Sequence, residues 1–306
     1  MKENKVVINI LLIIIMILVV IACIVAYMCF TSDVKIIEYQ QEEVLFTEES
    51  YPKIDGSTVT LPLAEAFQSN FTKTDIYDIE IKYVDSYKSY ENLIKGEADL
   101  LIVGYPTQEE VKLVNQNNLN LDIFPIAKDG FVFFVNKENP IDNLTINQIQ
   151  NIYSGKTKNW KEIGGNDIEI KPFQRPENSS GQEGMINSVM KGLKMINPIT
   201  QNVSHTEGLI NNVISDYQNL ENAIGYSYYY YATNMYSTDN MKFLSIDGIQ
   251  PTYENIQTGL YGLQKSYYAV IREDEPEDSN IRKLLNAMMS EQGQIIVKEA
   301  GYVQNN

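Results

Sequence analysis

The chain has 306 residues, with 24 Lys+Arg against 40 Asp+Glu and a formal net charge of −16. Hydrophobic residues at 44% and charged residues at 21% exclude a largely disordered or collagen-like chain, because enough apolar surface is present to offset chain entropy. One histidine, His205, and two cysteines, Cys23 and Cys29, exclude His/Cys zinc clusters and a disulfide framework; three arginines without a basic stripe exclude a nucleic-acid surface.

Val6 to Phe30 is an almost unbroken apolar run, interrupted only by Asn9. As a helix it reaches about 37 Å, more than the ~30 Å hydrocarbon layer, so residues 1–30 are predicted to span a membrane. Lys2 and Lys5 precede the run, which leaves the N-terminus in the cytoplasm and the rest of the chain outside. Val20-Ile21-Ala22-Cys23 resembles a bacterial lipobox, in which Cys23 is lipidated. The sequence stays apolar for seven residues after Cys23, so an uncleaved signal anchor is the preferred reading. Either form tethers the protein to the outer face of a membrane.

Residues 31–49 are polar, acidic and free of glycine and read as a stalk. Asp55-Gly56-Ser57-Thr58 precedes a helix starting near Leu61, with Pro62 suited to its first turn. The runs 79–84, 99–104 and 130–136 read as strands separated by amphipathic stretches, a pattern of α/β layers with a parallel or mixed sheet. Thr145 and Gln148 form a capping-box pattern for a helix that stops at Gly155. Ser179-Ser180-Gly181 precedes another helix, and the stretch from Asn280 predicts two short helices broken near Gly293.

Two of these junctions place hydroxyls and glycines at a helix N-terminus, where free N–H groups and the helix dipole attract anions without a lysine. They are Gly56-Ser57-Thr58 and Ser179-Ser180-Gly181-Gln182, the second with Arg175 five residues before Ser180 as a guanidinium fork. The competing reading is that each Ser or Thr only caps its own helix.

Several blocks then resemble one family. They are residues 56–67, residues 125–165 with their Asn-Leu-Thr, Ile-Tyr-Ser-Gly-Lys and Asn-Trp elements, Arg-x-x-x-x-Ser-Gly at 175–181, and residues 222–227, 244–263 and 290–303. In that order they are similar to the phosphate-binding proteins of bacterial phosphate ABC importers, from about Lys53 to Val303. The resemblance implies an α/β, two-lobed periplasmic-binding-protein-like fold with mixed sheets, following the one N-terminal transmembrane helix. The solute-binding domain would be residues 50–306, with lobe 1 at 50–127 and 245–306 and lobe 2 at 128–244. It further implies ligand-binding residues at Gly56, Ser57, Thr58, Ser86, Arg175, Ser179, Ser180, Gly181 and Gln182, the last standing where the family has threonine. Around Ser86 the family's glycines are replaced, and Gly104-Tyr105-Pro106 falls where the family has a hydroxyl and an acidic acceptor. Such an acceptor is one way to demand a ligand proton and so to reject sulfate. Asp85 is a candidate replacement for it.

Other features carry blander readings. Tyr226–Tyr231 invites a sugar-stacking platform, but a half-buried strand and helix packed by tyrosines is preferred. Trp160 reads as a core anchor and His205 as a surface residue. The acidic run 273–278 lacks EF-hand spacing and reads as a solvated turn rather than a calcium site. No nucleophile elbow, Walker loop or Rossmann fingerprint is present, so no catalysis, cofactor or metal is expected. The expected function is a membrane-tethered, extracytoplasmic solute-binding protein taking phosphate or another small oxyanion to an ABC permease. The alternative is a degenerate binding fold acting as a cell-surface sensor or interaction module.

Overall fold

The computed structural model describes residues 44–83, 85–175, 180–198, 221–234 and 240–305. The chain divides into Met1–Leu45 and Phe46–Asn306. The predicted membrane span at 1–30, Cys23, most of the stalk, Ser179 and His205 lie outside the described residues. Among the described residues no helix is long and apolar enough to cross a membrane.

The described residues form ten strands, the longer ones where β-branched and aromatic residues cluster. They are β1 (Ile54–Gly56), β2 (Leu100–Val103), β3 (Leu121–Asn136), β4 (Asn143–Leu144), β5 (Lys171–Pro172), β6 (Ala223–Tyr228), β7 (Met241–Phe243), β8 (Ser245–Ile246), β9 (Gln264–Arg272) and β10 (Val303–Gln304). The main path runs β1-β2-β9-β3-β6-β5, with β10 and β7 also on β3 and a separate β4-β8 pair. The strand β3, about 50 Å long by its residue count, carries both halves of the molecule. Leu121 to Gly130 pair with β9, and Phe131 to Val135 pair with β6. The parallel β1-β2 and β5-β6 pairs beside these antiparallel ones make the sheet mixed.

Nine helical segments are used below. The first is α1 (Leu61–Thr72), with Pro62 in its first turn as predicted, followed by α2 (Ser86–Lys95) and α3 (Gln108–Gln116). Next come α4 (Ile146–Tyr153), with the expected Thr145–Gln148 capping box, and α5 (Ser180–Gly184), which runs on as a π-helical stretch, Met185–Met190. The rest are α6 (Tyr229–Asn234), α7 (Tyr253–Gln257), α8 (Asn280–Met289) and α9 (Glu291–Glu299). On one side of the long strand, Tyr90, Leu93, Leu101, Val103, Val114 and Val270 form a buried cluster. On the other, the rings of Phe133, Tyr153 and Tyr226 meet at centroid distances of 5.6 to 6.3 Å. Trp160 is fully buried there and donates its indole N–H to the Asn222 carbonyl at 3.1 Å. Tyr226–Tyr231 is the expected strand and helix.

One expectation fails and the position of another shifts, each for a physical reason. Ile79 is buried and Glu80 exposed, and the in-out alternation continues to Tyr83, but the described part of 79–84 forms no strand, because no neighbour pairs with it. Alternation reports burial, and a strand also needs a ladder partner. The two expected C-terminal helices form, with the break between α8 and α9 at Ser290, three residues before Gly293. Ser290 accepts the Gly293 N–H, and Gly293 is a glycine because an added Cβ would lie 2.1 Å from the Ala287 carbonyl oxygen. Close helix packing, not helix breaking, explains the residue.

Candidate functional site

A cavity of about 300 Å3 opens between the loop ends of β1 and β2 and the helical segment 183–188. Its wall includes Ser57, Ser86, Glu110, Glu183, Tyr228 and Lys265. Ser57 stands on the turn after β1, where its N–H donates to the Ile102 carbonyl at 3.3 Å. The turn closes this tightly because residue 56 is glycine; a Cβ there would lie 2.2 Å from the same carbonyl oxygen. Thr58 follows with its side chain exposed, and its carbonyl accepts the Tyr231 hydroxyl at 3.4 Å.

Ser86 opens α2 and donates its hydroxyl to Glu110 Oε1 at 2.7 Å. Glu110 is 3% exposed, and its Oε2 accepts the Thr107 N–H at 2.6 Å in the capping box of α3. The acidic groups at the cavity are Glu110, which accepts from Ser86, and Glu183, and the expectation for Asp85 does not hold: Asp85 accepts the Lys88 N–H at 2.8 Å as the N-cap of α2. Tyr105 is exposed and stacks edge-on against Tyr268.

Arg175, Gly181 and Gln182 come together beside the cavity rather than on its wall. The Arg175 N–H donates to Gln182 Oε1 at 3.1 Å and to the Tyr226 hydroxyl at 3.2 Å, and Gln182 is buried. Its side chain thus braces Arg175 and Tyr226 within the fold. Arg175 Nε is buried with no hydrogen-bond partner among the described residues. Ser180 begins α5.

The sequence reading missed a charged pair. Lys265 lies on β9 with its ammonium 3.7 Å from the Tyr228 ring centroid and 4.7 Å from that of Tyr267. Asp129, 1% exposed on β3, accepts the Gly130 N–H at 2.8 Å, the Tyr230 N–H at 3.1 Å and the Tyr267 hydroxyl at 3.2 Å. Burial pushes the Asp129 carboxyl up to about 6, opposed by the Lys265 charge and these hydrogen bonds. Burial pushes Lys265 down to about 8, opposed by Asp129 and Glu183. Each charge favours the ionised form of the other. The available signal was register: 265 shares a strand face with buried Tyr267, Ala269 and Ile271, and 129 with Phe131, Phe133 and Val135.

An α/β fold of two halves sharing β3, with a polar cavity lined by serines and a lysine, defines a solute-binding class rather than a fibrous or nucleic-acid-binding one. The family described as PBP superfamily domain matches residues 47–291, and the chain belongs to it. It is 28% identical over 267 residues to the phosphate-binding protein PstS of Staphylococcus saprophyticus, covering 83% of this chain and 80% of that one. The Bacillus subtilis protein of the same name is 32% identical over 145 residues, 46% of this chain and 45% of its own. Among solved structures, a Clostridium perfringens phosphate ABC transporter substrate-binding protein with bound phosphate superposes with a TM-score of 0.62 at 29% identity, over 82% of this chain and 98% of that one. A Vibrio cholerae ABC-type phosphate transport receptor, at 23% identity, shares the fold with a TM-score of 0.65 over 83% of this chain and 100% of that one.

Proposed function

We propose that this chain is a membrane-tethered, extracytoplasmic solute-binding protein that captures phosphate or a related oxyanion for an ABC importer. The observation that carries the reading is the cavity on which Ser57, Ser86 and the Lys265 ammonium converge, in a member of a family whose relatives are named for phosphate. Lobe 1 comprises 50–127 and 245–306 and lobe 2 comprises 128–244; the change of β3 partner after Gly130 supports that division. Ser57 and Thr58 donate to the ligand from lobe 1. Ser180 and Gly181 donate from lobe 2, beside Ser179 and Gln182, while Gly56 shapes the first loop and Ser86 borders the ligand.

Arg175 adds charge as the lobes close by a hinge motion, and its Nε, unpartnered among the described residues, supports that assignment. Closure then presents one defined surface to the permease, and no covalent step is required of the chain. Titration calorimetry of the full-length protein with phosphate and then sulfate tests the reading: binding of either anion is expected. Silence with both would return the chain to the sensor alternative. Arg175→Ala is expected to weaken binding by about 10- to 100-fold, the loss of a charge-assisted hydrogen bond.

A further inference from the structure

We propose that Lys265 sets a positive charge against the bound anion in the cavity itself, with Asp129 as the buried carboxylate that positions it. The inference rests on the anion-binding reading above and adds to it a charged residue that the loops do not contain. Three observations carry it. The ammonium lines the same cavity as Ser57 and Ser86. It is held between two rings from different strands, Tyr228 of β6 and Tyr267 of β9, which restrict a side chain that is otherwise flexible. Among the described residues it has neither a hydrogen-bond nor an ion-pair partner, so its three donors remain for a ligand.

A cation held inside a protein is costly unless charge compensates it. Asp129 provides that charge without occupying the ammonium, because its oxygens are already taken by two N–H groups and by the Tyr267 hydroxyl. Tyr267 touches both members, and its ring faces the ammonium while its hydroxyl binds the carboxylate. Arg175, by contrast, does not border the cavity.

Proton linkage provides a distinct signature. Besides Asp129, the groups facing Lys265 are Glu183 on α5, Glu110 across the cavity, and Tyr228 and Tyr267, which burial pushes up and keeps neutral. The free ammonium loses its proton near 8, whereas an anion beside it favours the protonated form. Binding therefore takes up a proton above that pH, and affinity falls as pH rises.

The test is titration calorimetry with inorganic phosphate on full-length wild type, K265Q, K265R and D129N, from about pH 7 to about pH 9.5. K265Q is expected to lose about tenfold or more in affinity near neutral pH. K265R, whose guanidinium does not titrate, is expected to bind near neutral pH but to lack the additional fall above 8, so its curve records the ligand's own titration. D129N is expected to move the fall to lower pH, because removing the carboxylate lets the ammonium deprotonate earlier. If K265Q fails to fold, the K265R profile decides. Wild-type binding with K265Q within about twofold, or a K265R profile that matches wild type, would overturn the assignment and leave the anion reading standing. Wild-type silence with phosphate, arsenate and sulfate would overturn both.

Discussion

Glu110 divides one carboxylate between a helix cap and the cavity, and the division limits what Ser86 can offer. A serine hydroxyl has one proton, and here Ser86 gives it to Glu110 Oε1 at 2.7 Å. What it presents to a ligand is a lone pair, which hydrogen phosphate satisfies and fully ionised sulfate does not. Glu110→Gln leaves a residue that still suits the capping box of α3 but can donate to Ser86, whose proton is then free for the ligand. The phosphate-to-sulfate affinity ratio is expected to fall by about tenfold while stability changes by less than about 1 kcal/mol, as read by competition binding and urea unfolding. An unchanged ratio would show that Glu110 serves only the helix. Ser57 was legible from the resemblance because its Gly-Ser-Thr loop survives, and Ser86 because the serine itself persists although the glycines around it are replaced. Glu110, Lys265 and Asp129 were not, because their roles depend on which strand face and which helix turn point into the cavity. The Gln264–Arg272 run was not read as a strand, so a lysine on its buried face raised no question.

Helix ends were the most legible elements, since a cap is a local contract between residues three apart. Thr145 accepts the Gln148 N–H, and the Gln148 side chain accepts the Thr145 N–H at 2.8 Å, as the sequence pattern implies. Thr145→Ala is expected to cost about 1 kcal/mol, measured as a lowered urea midpoint with an unchanged slope. Contacts between elements were harder to read. Gly293 resembles a helix breaker in sequence, yet it lies inside α9 against carbonyls of the preceding helix. Gly293→Ala is therefore expected to destabilise by about 1 to 3 kcal/mol through overpacking, although alanine is the better helix former. A neutral or stabilising effect in urea unfolding would mean that α8 and α9 can separate freely. The run 79–83 illustrates the same limit: its alternation was real, but no sequence window reveals whether a partner strand lies alongside.

At the scale of the whole molecule, the Asp129–Lys265 pair makes the fold hold charges where burial disfavours them, and unfolding measurements can detect the cost. Asp129 titrates near 6 in the native state and near 3.8 in its ordinary environment, so between those values the native chain binds more protons than the unfolded one. Stability then falls as pH rises through that window, by about 3 kcal/mol for this group. Lys265 gives the complementary branch: its native value near 8 lies below the ordinary 10.5, so the unfolded chain holds more protons above 8 and this group's penalty fades as pH rises further. Between about 6 and 8 both penalties apply together. In D129N the first branch is expected to vanish, so its unfolding free energy minus that of wild type grows by about 3 kcal/mol as pH rises from 4 to 6.5, apart from any constant offset from altered hydrogen bonds. Urea unfolding at matched ionic strength measures that difference; a difference that stays flat with pH would show that Asp129 is not a costly buried charge. Anion binding acts in the opposite direction: a ligand at 100 times its Kd adds about 2.7 kcal/mol to native stability. In wild type that gain is expected to shrink at fixed ligand concentration as Lys265 deprotonates above 8, while in K265R it persists.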